Sequence, residues 1–432
     1  MARNIPKRVH SLLNKNSKSN SQYSKIYLSN IMKYNVIMFN MSEFREWKSG
    51  IVNRNYHILH NLLEKDQINK IFAVDFLPYT KKRALKILMR SILKSPGGKR
   101  IHFDLTSRLT KISDKLYVYS TIDSIFSEQK VYKKINKLIN KYDLFNNLTV
   151  KQSNNLLVWS YFPMFSGYFN YFKNSKINSQ KFEKEFECVS VFDTVDNWME
   201  HPNFTNYKDR IKNNYEIISK ESDYIFTVSK DLLNIFPNAK NKEWIPNGVD
   251  LEHFNKKSDK TIIHAGHPII GYVGTIEKRL DFELIKYLSL KNPEKSIVLI
   301  GPVWKNAQVD ELKSQNNIHF LGRKSYSELP YYINEFDVCI IPHKIDKFTK
   351  SMNPLKLYEY LACGKPIVTT KVSGIEKFQE LIYTAKTKEE FNEKISQALS
   401  ENSKEKIESR KNAVQDENWK NRVNQMLETI SK

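Results

Sequence analysis

Short apolar runs alternate along the chain with longer segments in which apolar residues recur at helical spacing. Runs bounded by turn residues read as strands, and the wider period reads as helix. The first run is Tyr34-Asn-Val-Ile-Met-Phe39. A helical pattern near Tyr56 to Glu64 and a strand at Lys70 to Val74 follow it. The alternation goes on with a strand at Lys115 to Ser120, a helix at Glu128 to Lys141 and a strand at Asn155 to Trp159. Cys188 to Phe192 is then a strand, Tyr207 to Glu221 a helix and Tyr224 to Val228 a strand. The pattern predicts a parallel sheet with helices on both faces.

Trp244-Ile-Pro-Asn-Gly-Val-Asp250 breaks the series with a turn signal, and a second α/β series starts beyond it. Its expected strands are Ile269 to Val273, Ser296 to Ile300, Ile318 to Leu321, Val338 to Ile341 and Ile367 to Thr370. Helices fit at Asp281 to Leu290, Ser327 to Glu335 and Pro354 to Cys363. The expected division is a basic mobile arm (1–33), a first Rossmann-like domain (34–245), a second one (246–405) and a closing helical segment (406–432).

Composition adds two facts. The 432 residues carry a formal net charge of +22, unevenly spread. Residues 1–35 hold seven Lys or Arg and no acid, and residues 81–115 hold eleven against Asp104 and Asp114. Such clusters point to a polyanionic surface, anionic lipid or nucleic acid. Within Thr80 to Lys94, helical spacing puts Leu85, Leu88, Met89 and Ile92 on one apolar stripe, with Lys82, Lys86, Arg90 and Lys94 on other faces. That is the pattern of an interfacial helix, and equally of a helix packed on its own sheet. Cys188, Cys339 and Cys363 lie in apolar contexts without metal-ligand spacing, so they read as reduced and buried. No apolar run approaches the roughly 20 residues of a membrane span. A cytoplasmic location, peripheral on the inner face of the membrane, is expected.

Candidate chemistry collects in the second series. Eight of the 12 glycines lie from Gly248 onward, most at strand ends, among them Gly274 and Gly322. In open α/β sheets such ends form the ligand crevice. Gly271-Tyr-Val-Gly274-Thr275 leads from strand through a glycine loop toward a helix, a place for an anion. Thr275 can add a hydroxyl and Lys278 or Arg279 a positive charge. Neither a dinucleotide nor a P-loop fingerprint is present. Pro354 suits the start of a helix and Gly364 its end. Lys356 and Glu359, three apart, share one face of it. A Lys can hold a diphosphate and a Glu can accept from ribose hydroxyls. Taken alone, the pair is equally a surface ion pair.

Pro-Leu-Lys-Leu-Tyr-Glu-Tyr-Leu-Ala-Cys-Gly-Lys-Pro-Ile-Val, residues 354–368, resembles the nucleotide-sugar signature of GT-B-fold glycosyltransferases, family four. ESDYIFTVSKDLL (221–233), IPNGVDLEHF (245–254), GYVGTIEKRLDFELI (271–285), INEFDVCIIPHK (333–344) and ENWKNRVNQML (417–427) follow in that family's order. RNYHILHNLL (54–63) and VFDTVDNW (191–198) resemble the subgroup near teichuronic-acid glycosyltransferases. The resemblance implies two doubly wound domains facing across a cleft, with a final helix crossing back to the first. It implies transfer of a sugar from a nucleotide-diphosphate donor to a glycan or lipid-linked hydroxyl, in cell-surface polysaccharide or glycolipid synthesis. It also implies retention of anomeric configuration, the leaving phosphate being able to accept the acceptor's proton. Its site residues map onto Asp193, Lys356 and Glu359 for catalysis. For donor binding they map onto Gly274, Thr275, Lys278, Arg279, Gly322, Arg323, Ser351, Met352, Asn353 and Leu355.

Ser351 departs from the family, standing where the first of two glutamates is usual. The amides of Met352, Asn353 and Leu355 are expected to take over part of its role. Asp193 is read as a contact to sugar or acceptor hydroxyls and Asp196 as a helix cap. His57 is read as readily as a packed residue as a site residue. No metal or other cofactor is expected, because Lys and Arg can neutralise the phosphates and Asp193 to Asp196 lacks the DxD spacing. Two rival classes share the fold: a nucleic-acid glycosyltransferase using the basic surface, and a non-catalytic nucleotide-sugar-binding module.

Overall fold

The structure is a computed structural model that describes residues 33–94, 96–145, 154–175, 187–257, 261–305, 307–401 and 403–432. The basic arm expected over residues 1–33 lies, but for Lys33, outside the described residues.

The first sheet has nine strands: β1 (Lys33–Phe39), β2 (Ile68–Val74), β3 (Lys99–Phe103), β4 (Ser107–Lys111), β5 (Leu116–Thr121), β6 (Asn154–Ser160), β7 (Glu187–Thr194), β8 (Tyr224–Thr227) and β9 (Asn241–Trp244). Their order is β3-β4-β5-β2-β1-β6-β7-β8-β9. From β5 to β9 all pairings are parallel, and β3 and β4 add an antiparallel hairpin at one edge. The second sheet has six parallel strands: β10 (Ile269–Val273), β11 (Ser296–Ile300), β12 (Ile318–Gly322), β13 (Val338–Ile341), β14 (Ile367–Thr370) and β15 (Tyr383–Ala385). Their order is β12-β11-β10-β13-β14-β15. Connections leave β10 and β13 in opposite directions, and such a switch point opens a crevice beyond the carboxyl ends of the strands.

The central strands carry apolar residues at consecutive positions because helices cover both faces. Val36, Ile37 and Met38 of β1 and Ile297, Val298, Leu299 and Ile300 of β11 are fully buried. The last helix, Trp419–Ile430, returns to the first sheet. Trp419, Val423, Met426 and Leu427 join the core around Val36, Ile58 and Leu157. Trp419 stacks on His57 at 4.7 Å between ring centres, so His57 is a packed residue.

The basic segment differs from expectation. It is α-helical over Lys81–Ile87 and then widens into a π turn over Leu88–Ile92. A π turn advances five residues per repeat, so Ile87 and Ile92 both face the core. Ile92 therefore leaves the predicted stripe for the interior, and Leu88 is half-buried. The outward row is Leu85, Met89 and Leu93, exposed by 61%, 52% and 53%. Cys339 and Cys363 are buried, Cys188 is half-buried, and all three are free thiols. Among the described residues no helix is long and apolar enough to cross a membrane.

Candidate functional site

The cleft forms where β10 and β11 end. Gly274 and Gly301 follow these strands with φ of 149° and 146°. A Cβ on Gly301 would lie 1.9 Å from the carbonyl oxygen of Gly274, so only glycine lets the two turns touch. The helix Leu355–Ala362 abuts this loop. It buries Leu357, Tyr360 and Leu361 in the core, and the Val273 amide donates to the Tyr360 hydroxyl at 2.8 Å. That bond fixes the helix so that Lys356 and Glu359 line the cleft beside the glycine loop.

Gly274, Thr275, Arg279, Arg323, Leu355, Lys356 and Glu359 line one continuous cleft. Gly50 to Val52, from the loop between the first two strands, close it. Gly50, at φ 88°, lies against the backbone of Lys324 to Tyr326, and Arg323 Nη1 donates to Ser49 Oγ at 3.2 Å. The Lys356 ammonium sits 5.3 Å from the centre of the Tyr272 ring. Burial, with Arg279 nearby, holds the Lys356 pKa below the usual ammonium value, while Glu359 opposes the shift. Burial raises the Glu359 carboxyl, and Lys356 opposes that shift. The two are therefore half-buried beside one another rather than a surface ion pair. Arg279 bonds Glu277, and its guanidinium lies 5.8 Å from the Phe348 ring centre. Four cations, Arg279, Arg323, Lys324 and Lys356, line the cleft against one acid, Glu359, with Glu277 engaged by Arg279.

Residues 267–401 match the family model Glycosyl transferases group 1. The match covers that segment alone, 135 of the 432 residues. A stretch of 142 residues, 32% of this chain, is 34% identical to TuaH of Bacillus subtilis (strain 168), named as a teichuronic acid biosynthesis glycosyltransferase; it spans 36% of that relative. Sucrose-phosphate synthase from Thermosynechococcus elongatus superposes with a TM-score of 0.60 at 13% identity, covering 92% of this chain and 98% of that one. The Anabaena protein HepE, solved in complex with UDP-glucose, superposes at 0.57 with 12% identity, covering 92% and 99%. At these identities the likeness is one of fold, and the fold is GT-B.

Several residues expected in the donor site lie elsewhere. The Gly274 amide donates to the Ile300 carbonyl at 2.8 Å, so this glycine serves by its missing side chain rather than as an anion donor. Lys278 points to solvent outside the cleft lining, and Gly322 ends β12 beyond it. Ser351, Met352 and Asn353 are buried behind the cleft. Ser351 ties the two halves together: its carbonyl accepts from Ser229 Oγ at 2.8 Å, and its own hydroxyl donates to the Phe348 carbonyl at 2.8 Å. Asn353 does the same with Asn247, through bonds of 2.8 and 2.7 Å.

Asp193 is the largest correction. It is fully buried, and Arg54 Nε donates to both its oxygens, at 2.9 and 3.0 Å. Arg54 Nη1 also donates to the Pro246 carbonyl at 3.0 Å and Asn247 Oδ1 at 3.3 Å. Asp193 therefore anchors the interdomain crossover and contacts no cleft. Asp196 caps no helix, since the next helical turn begins at Thr205.

Sequence reasoning passed over Tyr272, Tyr326, Ile51 and Val52, which also line the cleft. It passed over His343 too, which is fully buried with neither ring nitrogen bonded among the described residues. Burial, Lys356 and Arg279 hold that imidazole neutral. The sequence signal was the Pro342-His343 pair directly after β13, at the carboxyl edge of the sheet.

Proposed function

We propose that the protein is a glycosyltransferase that moves a sugar from a nucleoside-diphosphate sugar to a hydroxyl of a glycan or lipid-linked acceptor. The observation that carries this reading is the excess of positive charge beside the glycine loop, where Arg279, Arg323, Lys324 and Lys356 line the cleft against Glu359, with Glu277 engaged by Arg279. A diphosphate is the anion that such a site would neutralise. As the glycosidic C–O bond breaks, charge builds on the leaving diphosphate. Cations fixed beforehand around it then favour the transition state over the ground state. Glu359 suits the ribose hydroxyls, and the Thr275 hydroxyl a phosphate oxygen. The reading includes retention of anomeric configuration and independence of metal, because the phosphates have Lys and Arg partners. Calorimetric titration of UDP and GDP, followed by incubation with their sugar conjugates, tests it. Binding of neither nucleotide would refute it.

The same reading places the enzyme in the cytoplasm, on an anionic membrane face where lipid-linked acceptors of cell-surface polymers reside. Its support is the outward row Leu85, Met89 and Leu93, flanked by exposed Lys81, Lys82, Lys86, Arg90 and Lys94 with no acid in the segment. Sedimentation with anionic vesicles, against duplex DNA at the same salt, separates this partner from nucleic acid.

A further inference from the structure

We infer that Leu105 and Phe126, at the carboxyl edge of the first sheet, insert into the acyl layer of an anionic membrane and seat the protein there. The inference deepens the membrane reading given above and rests on it. Six of the 13 large apolar side chains exposed among the described residues fall within residues 85–126. They are Leu85, Met89 and Leu93 of the basic segment, then Phe103, Leu105 and Phe126. Leu105 is exposed by 90% and Phe126 by 66%. Apolar exposure gathered in this way marks a contact surface.

Hydrogen bonds hold both side chains out. Leu105 is the tip of the β3–β4 hairpin. Beside it, Asp104 Oδ1 accepts from the amides of Thr106 and Ser107 at 2.9 and 2.8 Å, and from both their hydroxyls at 3.2 Å. Lys134 bridges Asp104 and Asp123 at 2.8 and 3.1 Å. Lys130 pairs with Asp123 at 2.9 Å, and its ammonium lies 5.0 Å from the centre of the Phe126 ring. The hairpin tip and the loop after β5 are therefore one braced unit. Ser107 pairs with Thr121, and the Ile122 amide donates to the Thr106 carbonyl at 3.0 Å, so this unit lies at the carboxyl ends of the parallel strands. Gly50 to Val52 reach the cleft from the same end of the sheet.

Charge selects the occupant. Lys133 and Lys137, on the helix Glu128–Lys141, are exposed and have no ion pair among the described residues. The acids nearby, Asp104 and Asp123, are already engaged by Lys130 and Lys134. Arg108 Nη1 of β4 donates to the Ile92 carbonyl at 3.0 Å, and Ile87 and Ile92 share a core with Val131 and Ile135. The basic segment and this lysine-bearing helix thus cover one face of the sheet, with the hairpin beside them. Leucine and phenylalanine flanked by cations match a bilayer, the lysines at the level of the phosphates and the apolar side chains among the acyl chains beneath. A nucleic-acid backbone would satisfy the lysines but offers nothing to an exposed leucine. Seated in this way, the protein turns the cleft end of its first sheet toward the bilayer that holds lipid-linked acceptors.

The test compares the full-length protein with Leu105→Ser, Phe126→Ser and the double variant. Each is sedimented with vesicles of phosphatidylcholine, alone or mixed with phosphatidylglycerol, in rising salt. Both side chains are exposed, so thermal midpoints should stay at the wild-type value. Wild type should bind the mixed vesicles and keep part of that binding in high salt, because salt screens charge and not apolar insertion. Each single substitution should weaken binding about 10-fold, and the double variant should be released by salt. Leu105→Cys carrying a polarity-sensitive fluorophore, against wild type treated identically, should shift to the blue on mixed vesicles and not on duplex DNA. Wild-type vesicle affinity in the double variant, or no blue shift on vesicles that the protein binds, overturns the inference and leaves the membrane reading standing. A blue shift on duplex DNA alone overturns it in favour of nucleic acid. If wild type binds neither kind of vesicle, the membrane reading falls and the inference with it.

Discussion

Two buried arginine-centred clusters lie on either side of the interdomain crossover, and they differ in how their charge is met. Around Arg54 the charge is met by an acid: Asp193 binds it through both oxygens, and Pro246 and Asn247 take a second nitrogen, while Nη2 has no hydrogen bond among the described residues. Around Arg279 the positive charge outweighs the negative. Glu277 and Glu359 stand against Arg279, Arg323, Lys324 and Lys356, while the nearby His343 is neutral. A buried charge that is fully paired holds structure. A buried charge left short of partners is costly unless a ligand supplies them. The contrast separates a structural acid, Asp193, from a site built to receive an anion, although both are buried and both carry an arginine.

The largest expected effect falls on the paired cluster. Asp193→Ala strands the Arg54 guanidinium in the interior and should cost about 3–5 kcal/mol of stability, read by denaturant unfolding. A loss below about 1 kcal/mol, the range of an exposed pair, would erase the distinction between the clusters. Next in size is the basic helix, which belongs to neither cluster. Replacing Lys82, Lys86, Arg90 and Lys94 by Gln should remove about 1 kcal/mol of membrane affinity per charge and release the protein from anionic vesicles. UDP binding should be untouched. Retained vesicle binding, or preference for duplex DNA at matched salt, would move the partner from membrane to nucleic acid.

A smaller effect concerns pH and the aromatic contact beside the paired cluster. Burial, with His60 and His253 nearby, brings the His57 pKa from 6.5 down to about 3. The unfolded chain takes up this proton below about 6.5 and the folded chain does not, so stability should fall as pH drops through that window. Asp75, raised by burial to about 7, works in the opposite sense in wild type and variant alike. Thermal midpoints of His57→Gln should therefore fall less between pH 7 and 5 than those of wild type. Parallel curves would show that His57 titrates normally. The smallest expected effect is none at all: EDTA should leave donor hydrolysis unchanged, because cations of the chain face the phosphates. Loss on chelation restored by Mg²⁺ or Mn²⁺ would contradict that.

What could be read from the sequence followed the same division. Five of the six strands of the second sheet were legible, the central ones because they are covered on both faces and run apolar without interruption, as in Ser296 to Ile300; the three-residue β15 was not. The helix with Lys356 and Glu359 was legible because Pro354 and Gly364 punctuate it and their spacing fixes a shared face. The β3–β4 hairpin was not. As an exposed edge, Lys99-Arg-Ile-His-Phe103 carries charge where a buried strand would carry Val or Ile. The fate of Asp193 was not legible either, since its partner Arg54 lies 139 residues away and nothing local distinguishes it from Asp196. Ser351 was read against a family position, but its role is fixed by Ser229, across the crossover. Local pattern reports elements and shared faces. Long-range pairing decides which charges remain free, and that decides the site.

The account turns on Lys356 being a charge held for a ligand, with Glu359 beside it but no hydrogen bond or ion pair among the described residues. Calorimetric titration of UDP into wild type and Lys356→Ala, with denaturant unfolding of both, measures this directly. Wild type should bind, and the variant should bind roughly 10- to 100-fold more weakly, the loss of one charge-assisted contact of about 1.5–3 kcal/mol. Its stability should equal or exceed that of wild type, because a desolvated charge beside Arg279 has been removed. Equal UDP affinity in the two proteins, or a loss of stability like that expected for Asp193→Ala, would contradict the account.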